Sequence, residues 1–186
     1  MNNFIALIIL ILIVIGCASM LISLYNRLVM LRLNVDKSFA NIDVLLKQRV
    51  DELPELVKVV KASAAFEQET LMQLTTLRMS YLESKNGAEK VKLNNQLNSG
   101  LKDLFALAES YPQLRTNQNY QRLQSRISEI EDHIADRREF FNESVTLYNV
   151  GINEFPAIIL ARLMGYQNQP LLQISAQEKE YAGLTL

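Results

Sequence analysis

FIALIILILIVIGCASMLISL, residues 4–24, contains no charged side chain. Its 21 residues, at 1.5 Å of rise each, span roughly 30 Å, the thickness of a bilayer's hydrocarbon core. Phe4, Ile9, Val14, Leu21 and Leu24 mark the run as a membrane anchor over residues 1–24. An apolar seam then continues through Leu21, Tyr25, Leu28, Val35, Phe39, Ile42, Leu46 and Leu53. Its steps of three, four and seven residues are those of a coiled-coil stripe. The anchor and the segment after it therefore read as one helix with no linker.

Composition narrows the remainder. Of 186 residues, those beyond the anchor suffice for one ordinary domain with a core. A net charge of -1 leaves no electrostatic footprint for nucleic acid. Only 6 Gly and 4 Pro interrupt the chain, which favours long helices over sheets. The single cysteine, Cys17, lies inside the apolar run, so no intrachain disulfide can form.

The N-terminal run has two readings. One is an uncleaved transmembrane anchor. The other is a lipoprotein signal, because Val14-Ile15-Gly16-Cys17 fits the pattern of a lipid-modified cysteine. Met1-Asn2-Asn3 lacks the positive n-region of a cleaved signal, and the apolar run continues past Cys17 to Leu24. Both points favour the anchor. No Lys or Arg precedes the span, whereas Arg27, Arg32 and Lys37 come after it. The positive-inside rule then predicts a single-pass membrane protein with a cytoplasmic body.

Four amphipathic helices are predicted over 25–155, joined by short connections. The first ends near Asp51, because Pro54 suits the first turn of a new helix. A kinked continuous helix is the alternative there, since the seam nearly continues across the proline. The second runs from Glu55 to about Ser84, followed by a Ser84-Lys85-Asn86-Gly87 turn. The third reaches Ser110 before Tyr111-Pro112. Thr116 or Asn117 can cap the fourth, which carries Leu123, Ile127, Ile130, Ile134, Phe141, Val145, Tyr148, Ile152 and Phe155 on one periodic stripe. Its steps Arg137 to Phe141 to Val145 form a stutter. The expected fold is all-α: a transmembrane helix leading into an up-and-down four-helix bundle with coiled-coil-like packing.

Helix lengths carry the fourth helix back to the membrane surface near Tyr148. The pairs Tyr25-Asn26 and Tyr148-Asn149 then fall at similar depth, where Tyr is favoured. Phe155, Ile158, Ile159 and Leu163 make residues 156–166 too apolar for a solvated tail. They read equally as an interfacial helix on membrane lipid or as a cap over the bundle's open end. Residues 167–186 are polar and aperiodic, and read as a mobile tail.

The stretch YNRLVMLRLNVDKSFANIDVLLKQRVDELPELV, residues 25–57, resembles the opening of the bacterial LemA family. Glu67, Tyr111-Pro112, Ile130-Glu131, Asn142, Tyr148-Asn149 and Phe155-Pro156 agree in order, so the resemblance covers about Tyr25 to Pro156. Phe39 stands where the family often has Trp, Phe141 where it often has Tyr, and Phe66 where it often has His. These departures lose polar handles and keep apolar bodies. The resemblance implies a membrane-associated four-helix bundle without an established activity, and with no catalytic residue to carry over. It also implies encoding near a membrane zinc metalloprotease.

The residues themselves offer little chemistry. His133 is the only histidine, so paired Glu-x-x-His ligation cannot be built. Asp132, His133 and Asp136 read as a solvated helix face rather than a metal site. No catalytic residue, cofactor or metal is expected, and the protein is read as a non-enzyme. The unusual residues are charges on the apolar seams: Arg32, Arg49, Glu67, Arg78 and Arg137. Long Arg stems can lie along an apolar face with the head in water. A partly buried polar layer is the other reading, with Asp43 or Glu131 supplying further carboxylates. The expected function is a scaffold that forms a homo-oligomer on the membrane. One alternative is an adaptor or regulator of a membrane protease. Another is a single-pass signal transmitter.

Overall fold

The computed structural model describes residues 2–63 and 68–172. Every element in it is helical: α1 (Asn2–Ser63), α2 (Gln68–Glu83), α3 (Gly87–Ala108), α4 (Pro112–Arg115), α5 (Gln118–Asn153) and α6 (Ala157–Leu163). The chain forms two compact units. One comprises Met1–Asn41 with Arg137–Gln173, and the other takes in Ile42–Asp136.

In the second unit, buried apolar residues recur on every long segment. Ile42, Leu46, Val50, Leu53, Leu56 and Val60 come from α1, Leu71, Leu74 and Tyr81 from α2, Leu97, Leu101 and Leu104 from α3, and Ile127, Ile130 and Ile134 from α5. Cross-helix contacts set the directions. Asp43 meets Tyr81, and Val50 meets Arg78, so α2 runs antiparallel to α1. Asp43 meets Lys90 and Arg49 meets Asn94, so α3 runs parallel to it. Arg49 meets Glu131 and Glu52 meets Arg126, so α5 runs antiparallel again. Gly100 allows α3 to close on α2, because a Cβ there would stand 2.9 Å from Leu74 Cδ2. Asn117 caps α5, its Oδ1 accepting from the N–H of Asn119 at 2.9 Å and of Tyr120 at 3.2 Å.

The turn expected at Pro54 is absent. Helix α1 continues through Pro54 and ends at Ser63, the continuous-helix alternative, and α2 begins at Gln68 rather than Glu55. A proline inside a helix leaves the carbonyl four residues earlier without its donor. Here that carbonyl belongs to Val50, and Arg78 Nε donates to it at 3.3 Å. A side chain from the neighbouring helix thus replaces the missing backbone N–H, which lets the seam continue through Val60.

In the first unit, α1 and α5 lie antiparallel in a clear register. Arg27 pairs with Glu154, Leu31 lies against Gly151, and the rings of Phe39 and Phe141 stand 5.8 Å apart. Facing positions therefore have numbers that total about 180 to 182. Leu31 packs directly over Gly151, where a Cβ would force the Leu31 side chain to move. Buried positions on this part of α5 are Arg138, Phe141, Ser144, Val145, Tyr148, Gly151 and Ile152. Arg138, not Arg137, takes the seam position, and Arg137 is exposed. The double step of four accordingly lies at Ile130, Ile134 and Arg138.

The Pro54 arrangement predicts a coupling. In detergent-solubilised full-length protein, Arg78→Ala should lower stability by about 1–2 kcal/mol, because a buried carbonyl loses its donor. In a Pro54→Ala background the backbone restores that bond, and the same substitution should cost clearly less. Denaturant melts of the four proteins check this; additive effects would contradict it.

Candidate membrane-facing site

Helix α1 is long and apolar enough to cross a bilayer, and no residue of its most apolar stretch is buried. Phe4, Ile9, Val14 and Leu21 are exposed, as a lipid-facing helix requires, and Leu24 is half-buried. Tyr25 and Asn26 come next, both exposed. Arg27 is the first charged side chain after the span, and its guanidinium pairs with the Glu154 carboxylate. Three residues of helix separate Leu24 from Arg27, a rise of roughly 4.5 Å. The ion pair therefore brings the end of α5 to the level at which α1 leaves its apolar stretch.

Beyond Glu154 the chain is apolar and turned outward. Phe155 falls after the end of α5 and is 82 % exposed, so it leaves the stripe that periodicity assigned it to; Ile159 is 57 % exposed and Leu163 81 %. Ile159 and Leu163, four residues apart, share one side of the short helix α6, and Phe155 lies just before it. Its other side is small: Ala157 and Ala161 are buried, which seats α6 closely on its neighbours. Ile158 is half-buried and belongs partly to packing. Three large apolar side chains in a row are unusual on a water-facing surface and mark an interaction site. Arg162 stands exposed among them.

Past α6 the chain reverses and becomes a strap along α5. Gly165, at φ 69°, supplies the left-handed residue after the helix. Gly165 N–H donates to Arg162 O at 3.1 Å and Tyr166 N–H to Ala161 O at 3.0 Å, the paired bonds of a Schellman end. Tyr166 then packs its ring 6.0 Å from Tyr148, with the Arg32 guanidinium 5.5 Å above it. Asn149 donates to Gln169 O at 2.9 Å and accepts from Gln169 N–H at 2.8 Å. Asn142 does the same with Leu172, at 3.0 and 2.8 Å. Seven residues of helix rise roughly 10.5 Å, and three residues of extended chain cover about 10 Å, so the two amides match the strap's repeat. Residues 167–172 are thus fastened, in contrast to the mobile tail that composition predicts; the rest of that tail lies outside the described residues.

The sequence-predicted residues separate accordingly. Phe155, Ile159 and Leu163 come together as a surface, as do the residues of the span. Tyr148 does not face an interface: it is 1 % exposed, and burial pushes its hydroxyl's pKa up against the opposing pull of Arg32. Asn149 holds the strap. Among the seam charges, Arg32 and Arg137 are exposed, Arg78 serves Pro54, and Glu67 lies outside the described residues.

Arg49 is 0 % exposed. Its guanidinium pairs with the carboxylate of Glu131 and the side-chain oxygen of Asn94, and donates to Asn94 O at 2.9 Å. This is a buried polar layer joining α1, α3 and α5. Asp43 organises a second polar cluster, accepting from Tyr81 Oη at 3.1 Å and Lys90 Nζ at 3.0 Å. Burial, with the Asp43 charge beside it, pushes the Tyr81 hydroxyl well above the ordinary phenol range. Sequence reasoning missed Asn94 and Lys90. Asn94 continues the spacing of Leu97, Leu101 and Leu104 backwards along α3. An amide on that apolar stripe is the signal that could have found it.

Residues 38–183 match the LemA family. This chain belongs to the LemA family. Two sets of relatives extend the comparison. Magnetosome protein MamQ of Magnetospirillum gryphiswaldense is 24 % identical over 169 residues, covering 77 % of this chain and 62 % of the relative. Magnetosome proteins MamQ 1 and MamQ 2 of Paramagnetospirillum magneticum are each 24 % identical over 186 residues, covering 86 % of this chain and 68 % of theirs. The LemA chain thus spans about three fifths of the first relative's length. The strap, with Asn142 and Asn149, falls inside the region matched to the family.

The chain contains no Trp, so single tryptophans report depth cleanly. With full-length protein in vesicles containing brominated lipid, Trp at Phe155 or Leu163 should be strongly quenched. Trp at Phe39, in the same unit and roughly 18 Å of helix beyond Arg27, should not. Unquenched fluorescence at both Phe155 and Leu163 would mean that this segment does not touch lipid.

Proposed function

We propose that this LemA-family protein is a non-enzymatic scaffold, anchored in the bacterial inner membrane, that self-assembles there with its body in the cytoplasm. The observation that carries the reading is the pairing of two apolar elements at one level. The span of α1 ends where Arg27 meets Glu154, and the exposed Phe155, Ile159 and Leu163 begin there. A single anchor leaves a body free to tilt and swivel. A second contact beside it sets how the membrane-proximal unit stands on the bilayer. Each of the three side chains would contribute about 1.5–3 kcal/mol on complete burial, and less at an interface. A tethered enzyme needs only a leash, whereas a scaffold needs a set orientation.

Other features support the same reading. We read the unit of Ile42–Asp136 as an up-and-down four-helix bundle, and the buried Arg49 between α1, α3 and α5 supports that reading as a contact specifying which helices meet. His133 is exposed, with Glu129 3.9 Å away. The Lys/Arg asymmetry around the span favours a cytoplasmic body.

Full-length protein extracted in mild detergent should run as a homomer of several protomers by mass-resolved chromatography. Its intact mass should show Cys17 without lipid, and protease added outside intact cells should leave the body uncut. A monodisperse monomer at micromolar concentration would overturn the scaffold, and a diacylglycerol adduct would overturn the anchor.

A further inference from the structure

The membrane-proximal unit leaves one flank of its helix pair open, and we infer that a second copy of this chain docks on it through Lys37 and Glu143. The inference rests on the self-assembly proposed above and names the surface that performs it.

The flank is set by helix geometry. At roughly 100° per residue, Phe140, Ser144 and Leu147 lie on one side of α5, and Asn142 and Asn149 lie about 180° away. The strap occupies the asparagine side. The other side borders a cleft of about 230 Å³ between α1 and α5. Small residues line it: Ser38 and Ser144 are buried, and each turns its hydroxyl to its own helix, to Val35 O at 2.8 Å and Phe140 O at 2.9 Å. The cleft therefore holds no hydroxyl in need of a partner. Phe140 and Leu147 beside it are more than half exposed. Met30, Leu33 and Val150 extend the exposed apolar area along the same two helices.

Lys37 and Glu143 complete the lining, one from each helix. Both are exposed, and among the described residues neither has an ion-pair partner. Their numbers total 180, which the register of Arg27 with Glu154 and Phe39 with Phe141 places at one level. That coincidence selects the occupant. Copies anchored in one bilayer all stand the same way up, so a two-fold axis relating them lies along the membrane normal. A contact about such an axis opposes residues at equal level, and it is isologous. Lys37 of each copy then faces Glu143 of the other, twice, around an apolar centre of Phe140 and Leu147. One cation and one anion at the same level on one face are self-complementary about such an axis. An unrelated partner would need no such pairing within a single chain.

The test uses full-length protein in mild detergent, in a Cys17→Ser background. Lys37→Glu or Glu143→Lys alone places like charges together and should weaken assembly at least about tenfold. The combined K37E/E143K protein restores opposite charges and should recover the wild-type size, which misfolding could not do. Differently tagged Lys37→Cys and Glu143→Cys chains, coexpressed and mildly oxidised in native membranes, should yield a mixed-tag disulfide product. If the wild type assembles and neither single reversal changes it, this face is not the contact, and the scaffold stands on another surface. If both singles weaken assembly and the double does not recover, the pairing is wrong. If the wild type is monomeric, the scaffold and this face fail together.

Discussion

An α-helix that leaves the bilayer cannot hinge while its backbone hydrogen bonds remain closed. In this LemA-family chain α1 runs unbroken from Asn2 to Ser63, so the last lipid-facing turn and the first packed turn share one ladder. Leu28 is already fully buried, four residues after the charge-free run ends. The Arg27–Glu154 ion pair closes the second side of this junction, and α6 departs from it. Being partly exposed, that pair contributes modestly to stability; its weight lies in where it puts the end of α5. Membrane attachment, helix register and the exposed row on α6 all depend on the continuity of α1.

Buried polar groups then decide which helices meet. An apolar stripe alone tolerates sliding, because one leucine is much like the next. Arg49 does not, since removing it from the reach of Glu131 and Asn94 would strand a charge away from water. Asp43 makes a similar demand on Tyr81 and Lys90, and Val50 on Arg78. The amides of Asn142 and Asn149 index the strap against α5 in the same manner. Each interaction joins groups far apart in sequence, so each specifies tertiary arrangement rather than local helix content.

Much of this was legible in the residues. The charge-free run, the helical periods and the Asn-Gly turn define helices whose existence the structure bears out, and the family likeness carried by ordered weak motifs holds over residues 38–183. The parts that were not legible depended on partners. Pro54 reads as a break when seen locally, and only Arg78 arriving from α2 makes it tolerable. Arg137 and Arg138 are adjacent and chemically alike, so periodicity could not choose between them. Tyr148-Asn149 has the composition of an interface pair, yet its tyrosine packs on Tyr166 and its asparagine binds the strap. Residues 167–172 lack any periodic pattern, because an extended segment held by two amides needs none.

Amide hydrogen exchange of the full-length protein in lipid vesicles tests the continuity of α1 most directly. Peptides covering residues 20–32 should be protected as strongly as those from the middle of the span, without a gap between Leu24 and Leu28. Rapid exchange confined to those few residues would reveal a hinge. The orientation of the membrane-proximal unit would then not be set by α1, and the account built on it would fail.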